Sequence, residues 1–166
     1  MKRMILTQER LKELLHYDPN TGNFIWLVRT SNRFCVGDVA GSLSNKGYKY
    51  TQIDGCKYRA SRLAWFYMTG EWPKDQVDHF NTIRNDDRWC NLREATNRIN
   101  AQNKRKAQNN NKTGFLGVSP AHDYKGFIAQ ITFNGEVQYL GTFDTPELAH
   151  KAYLDAKRVM HEGCTI

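Results

Sequence analysis

The chain lacks closely spaced cysteine pairs. Its four cysteines, Cys35, Cys56, Cys90 and Cys164, lie far apart. A zinc knuckle needs ligand pairs such as Cys-x-x-Cys, so a zinc-structured protein is excluded on cysteine spacing. We expect buried free thiols in a reducing compartment.

Long apolar runs are also absent. The N-terminus, MKRMILTQERL, is charged but has no apolar run of signal-peptide length. No segment approaches the roughly 20 apolar residues of a membrane span. We therefore expect a soluble, intracellular, cytoplasmic protein that is not secreted and has no membrane partner.

Acidic side chains are outnumbered: 24 Lys and Arg face 17 Asp and Glu, giving a formal net charge of +7. A basic chain favours a polyanionic partner, nucleic acid before membrane. A basic protein without such a partner stays open on charge alone. The excess lies in the first two thirds, because residues 112–166 hold five basic and six acidic side chains.

The N-terminal third alternates helices, turns and strands. Thr7 can cap a helix with an apolar stripe at Leu11, Leu14 and Leu15, and residues 18–22 (DPNTG) form a dense turn signal. Further on, the pattern predicts a strand at 24–28 and a hairpin formed by 48–53 and 56–60. It then predicts a helix at 62–69 that Ser61 caps and Gly70 ends.

Basic side chains cluster on or near the predicted hairpin. They are Lys46, Lys49, Lys57, Arg59 and Arg62. They can contact the phosphates of DNA, or they can be a solvated face, and the residues alone leave both readings open.

The C-terminal part follows a polar stretch at 109–114 (NNNKTG), which is the clearest domain boundary. Three strands are predicted at 115–119, 127–133 and 136–143, the last two joined by the hairpin signal Asn134-Gly135. Thr145-Pro146 then begins a helix with an apolar face. This predicts a three-stranded antiparallel sheet packed on one helix.

Asp78 and His79 stand side by side in the central stretch 76–108. Phosphodiester hydrolysis needs a base to deprotonate water and a cation near the phosphate. His79 suits the base at neutral pH, and Asp78 is a hard oxygen ligand for Mg²⁺ or Mn²⁺. Both serve one site only if the strand ends or bulges there. A surface His beside a capping Asp is the alternative.

A second oxygen ligand can come from a later helix. Thr96 is a plausible N-cap for a helix running to about Gln108, which carries Asn100 one turn in. Asp78 and Asn100 would then offer two hard oxygen ligands, which suit one divalent ion, Mg²⁺ or Mn²⁺, as the cofactor.

Residues 77–103 resemble the HNH, or His-Me finger, nucleases of phage and intron-encoded homing endonucleases. The matching residues are Val77-Asp78-His79-Phe80-Asn81, Asp86-Asp87-Arg88, Asn91-Leu92-Arg93, Ala95-Thr96 and Asn100. The resemblance implies a ββα-metal core. It implies that His79 is the general base, that Asp78 and Asn100 hold the metal, and that Asn91 braces the loop and orients the histidine.

The chain departs from this family's pattern at three positions: Ser61 precedes Arg62 where many relatives have His-Arg-Leu, Thr82 replaces a usual Gly, and Asp87 stands where Asn is common. None removes the base or a ligand. One of Arg84, Arg88 and Arg93 can stabilise the phosphate, or these side chains can pair with Asp86, Asp87 or Glu94.

The C-terminal segment resembles the plant ethylene-response-factor, or Apetala, DNA-binding domain. The matching residues are Gly114, Gly117-Val118, Phe127, Ala129, Ile131, Leu140-Gly141, Phe143-Asp144-Thr145, Glu147, Ala149 and Ala152-Tyr153. In that family the sheet enters the major groove. Candidate readers here are His122, Tyr124, Lys125, Gln130 and Gln138; a packing or weakened domain is the alternative.

These observations predict an α+β protein. It consists of an N-terminal α+β DNA-contacting region (1–75), an HNH ββα-metal motif (76–108), a linker (109–113) and an Apetala-like domain (114–166). We expect a metal-dependent endonuclease that cuts double-stranded DNA in a phage-infected or bacterial cell, with Arg98 and Lys104-Arg105-Lys106 holding phosphates. The alternative is a catalytically silent DNA-binding protein. The oligomeric state, monomer or homodimer, stays open.

Overall fold

The computed structural model describes residues 5–30, 33–122 and 125–165 of the chain. The chain divides into two compact units, Met1–Thr96 and Asn97–Ile166, and both mix helices with strands. No helix in the described ranges is long and apolar enough to cross a bilayer.

The boundary between the two compact units does not coincide with the boundaries predicted between functional segments. The unit boundary follows Thr96, inside the predicted catalytic segment 76–108, whereas the sequence suggested a linker at 109–113. Compactness and function need not divide a chain at one point, so the functional boundaries remain a prediction.

The described residues of the first unit form two helices, eight short strands and a 3-10 turn. In chain order they are α1 (Gln8–Leu14), β1 (Leu15–Asp18), β2 (Asn23–Trp26), β3 (Val39–Ala40), β4 (Ser42–Leu43), β5 (Lys49–Ile53), β6 (Cys56–Arg59), α2 (Ala60–Thr69), β7 (Gln76–His79), the 3-10 turn (Trp89–Asn91) and β8 (Leu92–Ala95). The strands form three small antiparallel sheets, β1-β2-β3, β4-β5-β6 and β7-β8.

Helix α1 is shorter than its apolar stripe predicted. Thr7 caps it as expected, since its side chain accepts a hydrogen bond from the Arg10 N–H. The helix nevertheless ends at Leu14, and Leu15 begins strand β1, where it faces the core. A stripe at i, i+3, i+4 fits a helix continuing through Leu15, but Leu15 is equally buried as the first residue of a strand.

Helix α2 begins earlier than predicted, at Ala60. The prediction that Ser61 caps this helix is wrong: Arg59 occupies the cap position without a side-chain cap bond, and Ser61 is buried in the first turn. Gly70 ends the helix in the left-handed conformation, as predicted. The buried side chains of α2, led by Leu63 and Phe66, belong to the main core of the unit.

The turn that precedes β2 supports a distant loop. Within the turn, Thr21 donates its hydroxyl to Asp18 Oδ2 at 2.7 Å. Outside it, the Pro19 carbonyl accepts the Trp89 N–H at 3.0 Å. Gly22 has φ +71°, and a Cβ there would overlap the backbone of Asp87 and Arg88. The turn predicted from the sequence therefore also fixes where residues 87–89 lie.

The second unit contains α3 (Asn97–Gln102), β9 (Val118–Pro120), β10 (Phe127–Phe133), β11 (Glu136–Phe143) and α4 (Pro146–Met160). The strands form an antiparallel sheet in the order β11-β10-β9. Its core joins Val118, Ala129 and Ala149, with Phe115 and Leu140 packed against them. Thr145 caps α4 through the Leu148 N–H, with Pro146 following as predicted.

Two predicted helix ends in this unit are wrong. Helix α3 stops at Gln102 rather than near Gln108, so Lys104-Arg105-Lys106 follow the helix instead of lying on it. Helix α4 stops at Met160 rather than continuing to Gly163. The side chain of Gln102 accepts the Gly163 N–H at 3.1 Å, so these two chain segments are held together just after their helices end.

We predict that Gly22→Ala destabilises the protein by about 2 kcal/mol or more, because alanine disfavours this positive φ and its methyl group displaces the Asp87–Arg88 backbone. Thermal unfolding should show a fall in Tm of roughly 5 °C. Gly55→Ala is the matched control, since Gly55 has φ +77° but a Cβ added there would meet no described atom within 4 Å. Equal losses in the two variants would contradict the packing argument.

Candidate active site

Asp78 and His79 lie at the end of strand β7 and are both buried. The strand ends at His79, and the Thr82 N–H donates back to the His79 carbonyl at 2.8 Å to form a turn. The expected strand end is therefore present. The two side chains have different neighbours, as consecutive strand residues should.

His79 pairs with Asp87. Its Nε2 lies 2.9 Å from Oδ1 of Asp87, and the side chains are only 5% and 1% exposed. The ring of Tyr48 lies on another side of the imidazole, with centroids 6.1 Å apart. The candidate base is therefore held by a buried carboxylate.

Asp87 is held in place through its backbone. Its carbonyl accepts the Tyr17 hydroxyl at 2.7 Å, and that contact is buried. Burial, and secondarily the Asp87 charge, raises the pKa of Tyr17, so this hydroxyl stays a donor at all ordinary pH values. Strand β1 thereby fixes the loop that carries Asp87.

Asn91 braces the loop after β7. Its Oδ1 accepts the Asn81 N–H at 2.9 Å, and its Nδ2 donates to the Asp86 carbonyl at 2.7 Å. The Asn91 carbonyl also accepts the Phe80 N–H at 2.9 Å. These are contacts of the kind that the family resemblance implied for loop bracing. The hydrogen bond described for the His79 ring is made with Asp87 instead.

Thr82 adopts a left-handed backbone, with φ 65°. A β-branched residue pays a steric penalty of about 1–2 kcal/mol there, which glycine avoids. This explains in physical terms why glycine is usual at this position of the resembling family. The turn forms here nevertheless, with Asn81 Oδ1 accepting the Ile83 N–H at 2.8 Å.

Of the three arginines considered for the phosphate, Arg88 and Arg93 pair with carboxylates, whereas Arg84 bonds to the Lys46 carbonyl. Arg88 makes two bonds to Asp86, at 2.7 and 2.6 Å, which was one of the predicted alternatives. Arg93 bonds to Asp78, which was not among the predicted partners, through Nε and an Nη at 3.1 and 2.9 Å from Oδ2. Asp78, the predicted metal ligand, therefore already lies beside the positively charged Arg93.

The donor chemistry of the predicted ligands fits Mg²⁺ or Mn²⁺. The described residues contain no group of three or more His, Cys, Asp or Glu side chains placed to hold a metal. Mg²⁺ does not require such a cluster, because it keeps several waters and is held by one or two protein carboxylates. Asp78 stays the predicted carboxylate ligand, and Asn100, on α3 of the second unit, stays the predicted second ligand.

Basic and aromatic side chains alternate on the sheet β4-β5-β6 and the neighbouring loop. We name this surface the hairpin face and define it by Tyr48, Tyr50, Lys57, Arg59 and Arg84. The Arg59 and Arg84 guanidinium groups lie 4.0 and 5.3 Å from the Tyr48 ring centroid, and Lys57 Nζ lies 4.6 Å from that of Tyr50. Tyr48 also neighbours His79, so this face borders the candidate base.

The other predicted DNA contacts of the first unit differ in their surroundings. Lys46 is exposed, and its carbonyl accepts a bond from Arg84 at 2.9 Å. Lys49 donates to Asn23 Oδ1 at 3.0 Å. Arg62 donates to the carbonyls of Asp75 and Pro73, at 3.0 and 3.3 Å, so it ties α2 to the connector before β7.

Predicted contacts in the second unit also have structural partners. Arg98 donates to Asn134 Oδ1 at 2.9 Å, and Arg105 donates to the Thr165 carbonyl and hydroxyl at 3.0 and 2.7 Å. The Lys104 carbonyl accepts from the buried Lys157, whose pKa is lowered by burial. Exposed candidates are Lys104, Lys106, His122, Lys125 and Gln130; Tyr124 lies outside the described residues.

Sequence reasoning missed three residues around His79: Asp87, Tyr48 and Tyr17. The signal for Asp87 was present, because an Asp where Asn is common marks a changed interaction. Tyr48 and Tyr17 carried no such signal, since each is far from His79 in sequence and meets the site only through the fold.

The Asp86–Arg88 pair predicts a pH dependence of stability. The Arg88 guanidinium, helped by Asn81, holds the pKa of Asp86 at about 2, below its usual 3.8. A depressed pKa adds stability above pH 3.8 that is lost as pH falls towards 2. Arg88→Gln should therefore destabilise the protein at pH 7, and this loss of stability should shrink as the pH falls towards 2.

Urea unfolding with EDTA at several pH values measures this difference. Arg158→Gln is the control, because it breaks an exposed pair with Asp155 on α4. A wild-type minus Arg88→Gln difference that stayed constant from pH 7 to pH 2 would sink the prediction.

Comparison with protein families gives a match in the middle of the chain. Residues 58–102 match a family model described as HNH endonuclease, which spans the end of β6, helix α2, strands β7 and β8, and helix α3. No curated protein and no solved structure matches significantly. The chain therefore carries an HNH nuclease domain and is an enzyme of the nuclease class.

Proposed function

We propose that this protein is a metal-dependent endonuclease of the homing or free-standing phage HNH type that hydrolyses phosphodiester bonds in double-stranded DNA. The observation that carries the proposal is the pair Asp78 and His79 at the end of β7, inside the segment that matches the HNH endonuclease model. A carboxylate ligand and an imidazole base adjoin there, as one-metal hydrolysis requires.

His79 is the general base of the proposed reaction. It accepts a proton from water, whose oxygen then attacks phosphorus while the bond to the leaving oxygen breaks. Asp78 and Asn100 would hold the divalent ion, which when bound supplies positive charge near the phosphate and the leaving oxygen. Asn91 keeps the loop between the two strands in shape through Asn81 and Asp86.

The hairpin face is the proposed grip on the DNA backbone. Guanidinium groups bind phosphates through several N–H donors, and Arg59 and Arg84 are oriented by stacking on Tyr48. Because Tyr48 also neighbours His79, a phosphate bound by these arginines would lie close to the base. Lys46, Lys49 and Lys57 extend the positive charge along the same sheet.

The sheet of the second unit is the proposed sequence reader, as in Apetala-type domains. His122, Lys125 and Gln130 are exposed, so they are available to base edges. Arg98 and Lys104-Arg105-Lys106 would add phosphate contacts, although Arg98 and Arg105 are also bonded within their own unit.

One observation favours the alternative of a DNA-binding protein without cleavage. Asp78 is buried and already paired with Arg93. Arg93 would then neutralise the carboxylate in place of a metal ion. A cleavage assay separates the two functions.

We predict that the purified protein nicks or linearises plasmid DNA with Mg²⁺ or Mn²⁺ and not with EDTA. His79→Ala should lower the cleavage rate by about 10²- to 10⁴-fold, the usual contribution of a general base. DNA affinity, measured by fluorescence anisotropy, should stay within about twofold because the buried imidazole is not a phosphate contact.

His16→Ala is the matched control, since His16 is exposed on β1. Inactivity of the wild-type protein on many DNA substrates, with either metal, would favour the alternative. Equal loss of cleavage and binding in His79→Ala would mean that His79 has a structural role.

We predict that replacing His122, Lys125 and Gln130 together by alanine relaxes site preference at least tenfold, because a good base contact gives about 1–3 kcal/mol of discrimination. The cleavage rate at a non-preferred site should stay nearly constant. Sequencing the ends of cleaved genomic DNA measures both, and it also reports whether one strand or both are cut. Lys151→Ala, an exposed change on α4, is the control; unchanged site preference in the triple variant would exclude this sheet as the reader.

A further inference from the structure

Asp87 is the most completely buried acidic side chain near the candidate base. It is 1% exposed, and the hydrogen bond described for its side chain runs from Oδ1 to His79 Nε2 at 2.9 Å. Among the described residues, its Oδ2 has no hydrogen-bond partner. A buried carboxylate with so little compensation is costly, which calls for a role beyond folding.

We propose that Asp87 is a positioning residue for the hydrolysis: it holds His79 as the Nε2–H tautomer, so that Nδ1 takes the proton from the attacking water. This rests on the proposed function, because it assigns the geometry of the same base. Asp87 is not one of the four residues, Asp78, His79, Asn91 and Asn100, to which the resemblance gives a role.

The chemistry of the carboxylate determines the tautomer. An ionised carboxylate only accepts hydrogen bonds, so the Asp87–His79 contact requires the proton on Nε2. In a neutral imidazole, one nitrogen carries the proton and the other is basic. Nδ1 is therefore the nitrogen that can accept a proton.

The negative charge gives a second effect. When Nδ1 takes the proton from water, the ring becomes a cation, and the Asp87 carboxylate lies directly against it. An interaction that strengthens as the charge develops lowers the barrier more than it stabilises the resting state. The same division of roles between an aspartate and a histidine operates in serine hydrolases.

The surroundings keep Asp87 fixed rather than adaptable. Tyr17 holds its carbonyl at 2.7 Å, and the Pro19 carbonyl holds the Trp89 N–H two residues later at 3.0 Å. Gly22 packs directly against its backbone. The carboxylate is therefore presented to His79 from a rigid segment, as positioning requires.

A structural role for the pair predicts something different. If Asp87 served only to fill a polar site in the core, its replacement would change stability and leave the tautomer and the rate of the folded protein unchanged. A role as a metal ligand would instead change the affinity for Mn²⁺. Tautomer, turnover and metal affinity must therefore be measured together.

The test uses the full chain without metal, labelled with ¹⁵N in histidine, and long-range ¹H–¹⁵N spectra that report which ring nitrogen is protonated. The chain has five histidines, and the His79→Gln spectrum identifies the His79 signals by their loss. In the wild type, Nε2 should be protonated and Nδ1 unprotonated at a pH where the ring is neutral. This readout requires no cleavage activity.

Two variants complete the test. Asp87→Ala should mix the two tautomers and lower kcat by about 100-fold, at the low end of what a general base contributes. Asp87→Asn removes the charge and can face the ring with its NH2 group as well as its oxygen, so it should admit the Nδ1–H tautomer and keep kcat well below that of the wild type. KM and the Mn²⁺ dissociation constant should stay within about twofold, since Asp87 is buried from DNA. Asp155→Ala, an exposed change on α4, should match the wild type.

A wild-type spectrum in which His79 is protonated on Nδ1 overturns the proposal. Because this measurement uses the wild-type protein, it stays decisive even if Asp87→Ala does not fold. An Asp87→Ala variant with wild-type tautomer and kcat overturns it as well, as does an Asp87→Asn variant with wild-type kcat. Loss of Mn²⁺ affinity at an unchanged tautomer would reassign Asp87 as a ligand. A wild type without cleavage but with the predicted tautomer would refute the proposed function and leave the positioning contact standing.

Discussion

The buried carboxylate of Asp87 is the constraint on which the first unit depends most. A carboxylate this deeply buried is costly, so the segment that carries it must be held in place by its neighbours. The His79 ring faces one oxygen, Tyr17 holds the carbonyl of the same residue, and the turn at Pro19 fixes the following backbone. The N-terminal turn, strand β1 and the loop after β7 are therefore one structural assembly, although they are far apart in sequence.

This assembly explains which parts could be predicted from the sequence. Local signals predicted local structure: the Thr7 and Thr145 caps, the hairpin at Asn134-Gly135 and the bounds of β10 and β11 agree with the structure. Errors arose where tertiary packing decided between two acceptable conformations. Leu15 is buried as strand rather than helix, and Ser61 lies inside α2 rather than capping it.

In the candidate site, too, local features were predicted from the sequence and tertiary contacts were not. Residue types and spacing placed Asp78 and His79 at the end of a strand, since chemistry and local pattern both point there. The partners of those side chains could not be read from the chain. Arg93 meets Asp78 because strand register places the two opposite each other, and Tyr48 meets His79 through a separate sheet. Register and sheet placement are non-local, so they escape a pattern of spacing.

Charge and structure together assign different contributions to the two units in the proposed function. Affinity for DNA comes chiefly from phosphate contacts, and these need free positive charge. The hairpin face carries such charge beside the base, on Lys57, Arg59 and Arg84. Residues 112–166 hold nearly equal numbers of basic and acidic side chains, and Arg98 and Arg105 are bonded inside the second unit.

A sheet of that composition can discriminate bases but contributes little binding energy of its own. Recognition of bases by the second unit would then require that the first unit already binds the DNA. Raised salt should therefore weaken overall binding through the hairpin face more steeply than it weakens discrimination through His122, Lys125 and Gln130, because base contacts release few counterions. The catalytic unit, rather than the reader, would set how strongly this nuclease binds DNA.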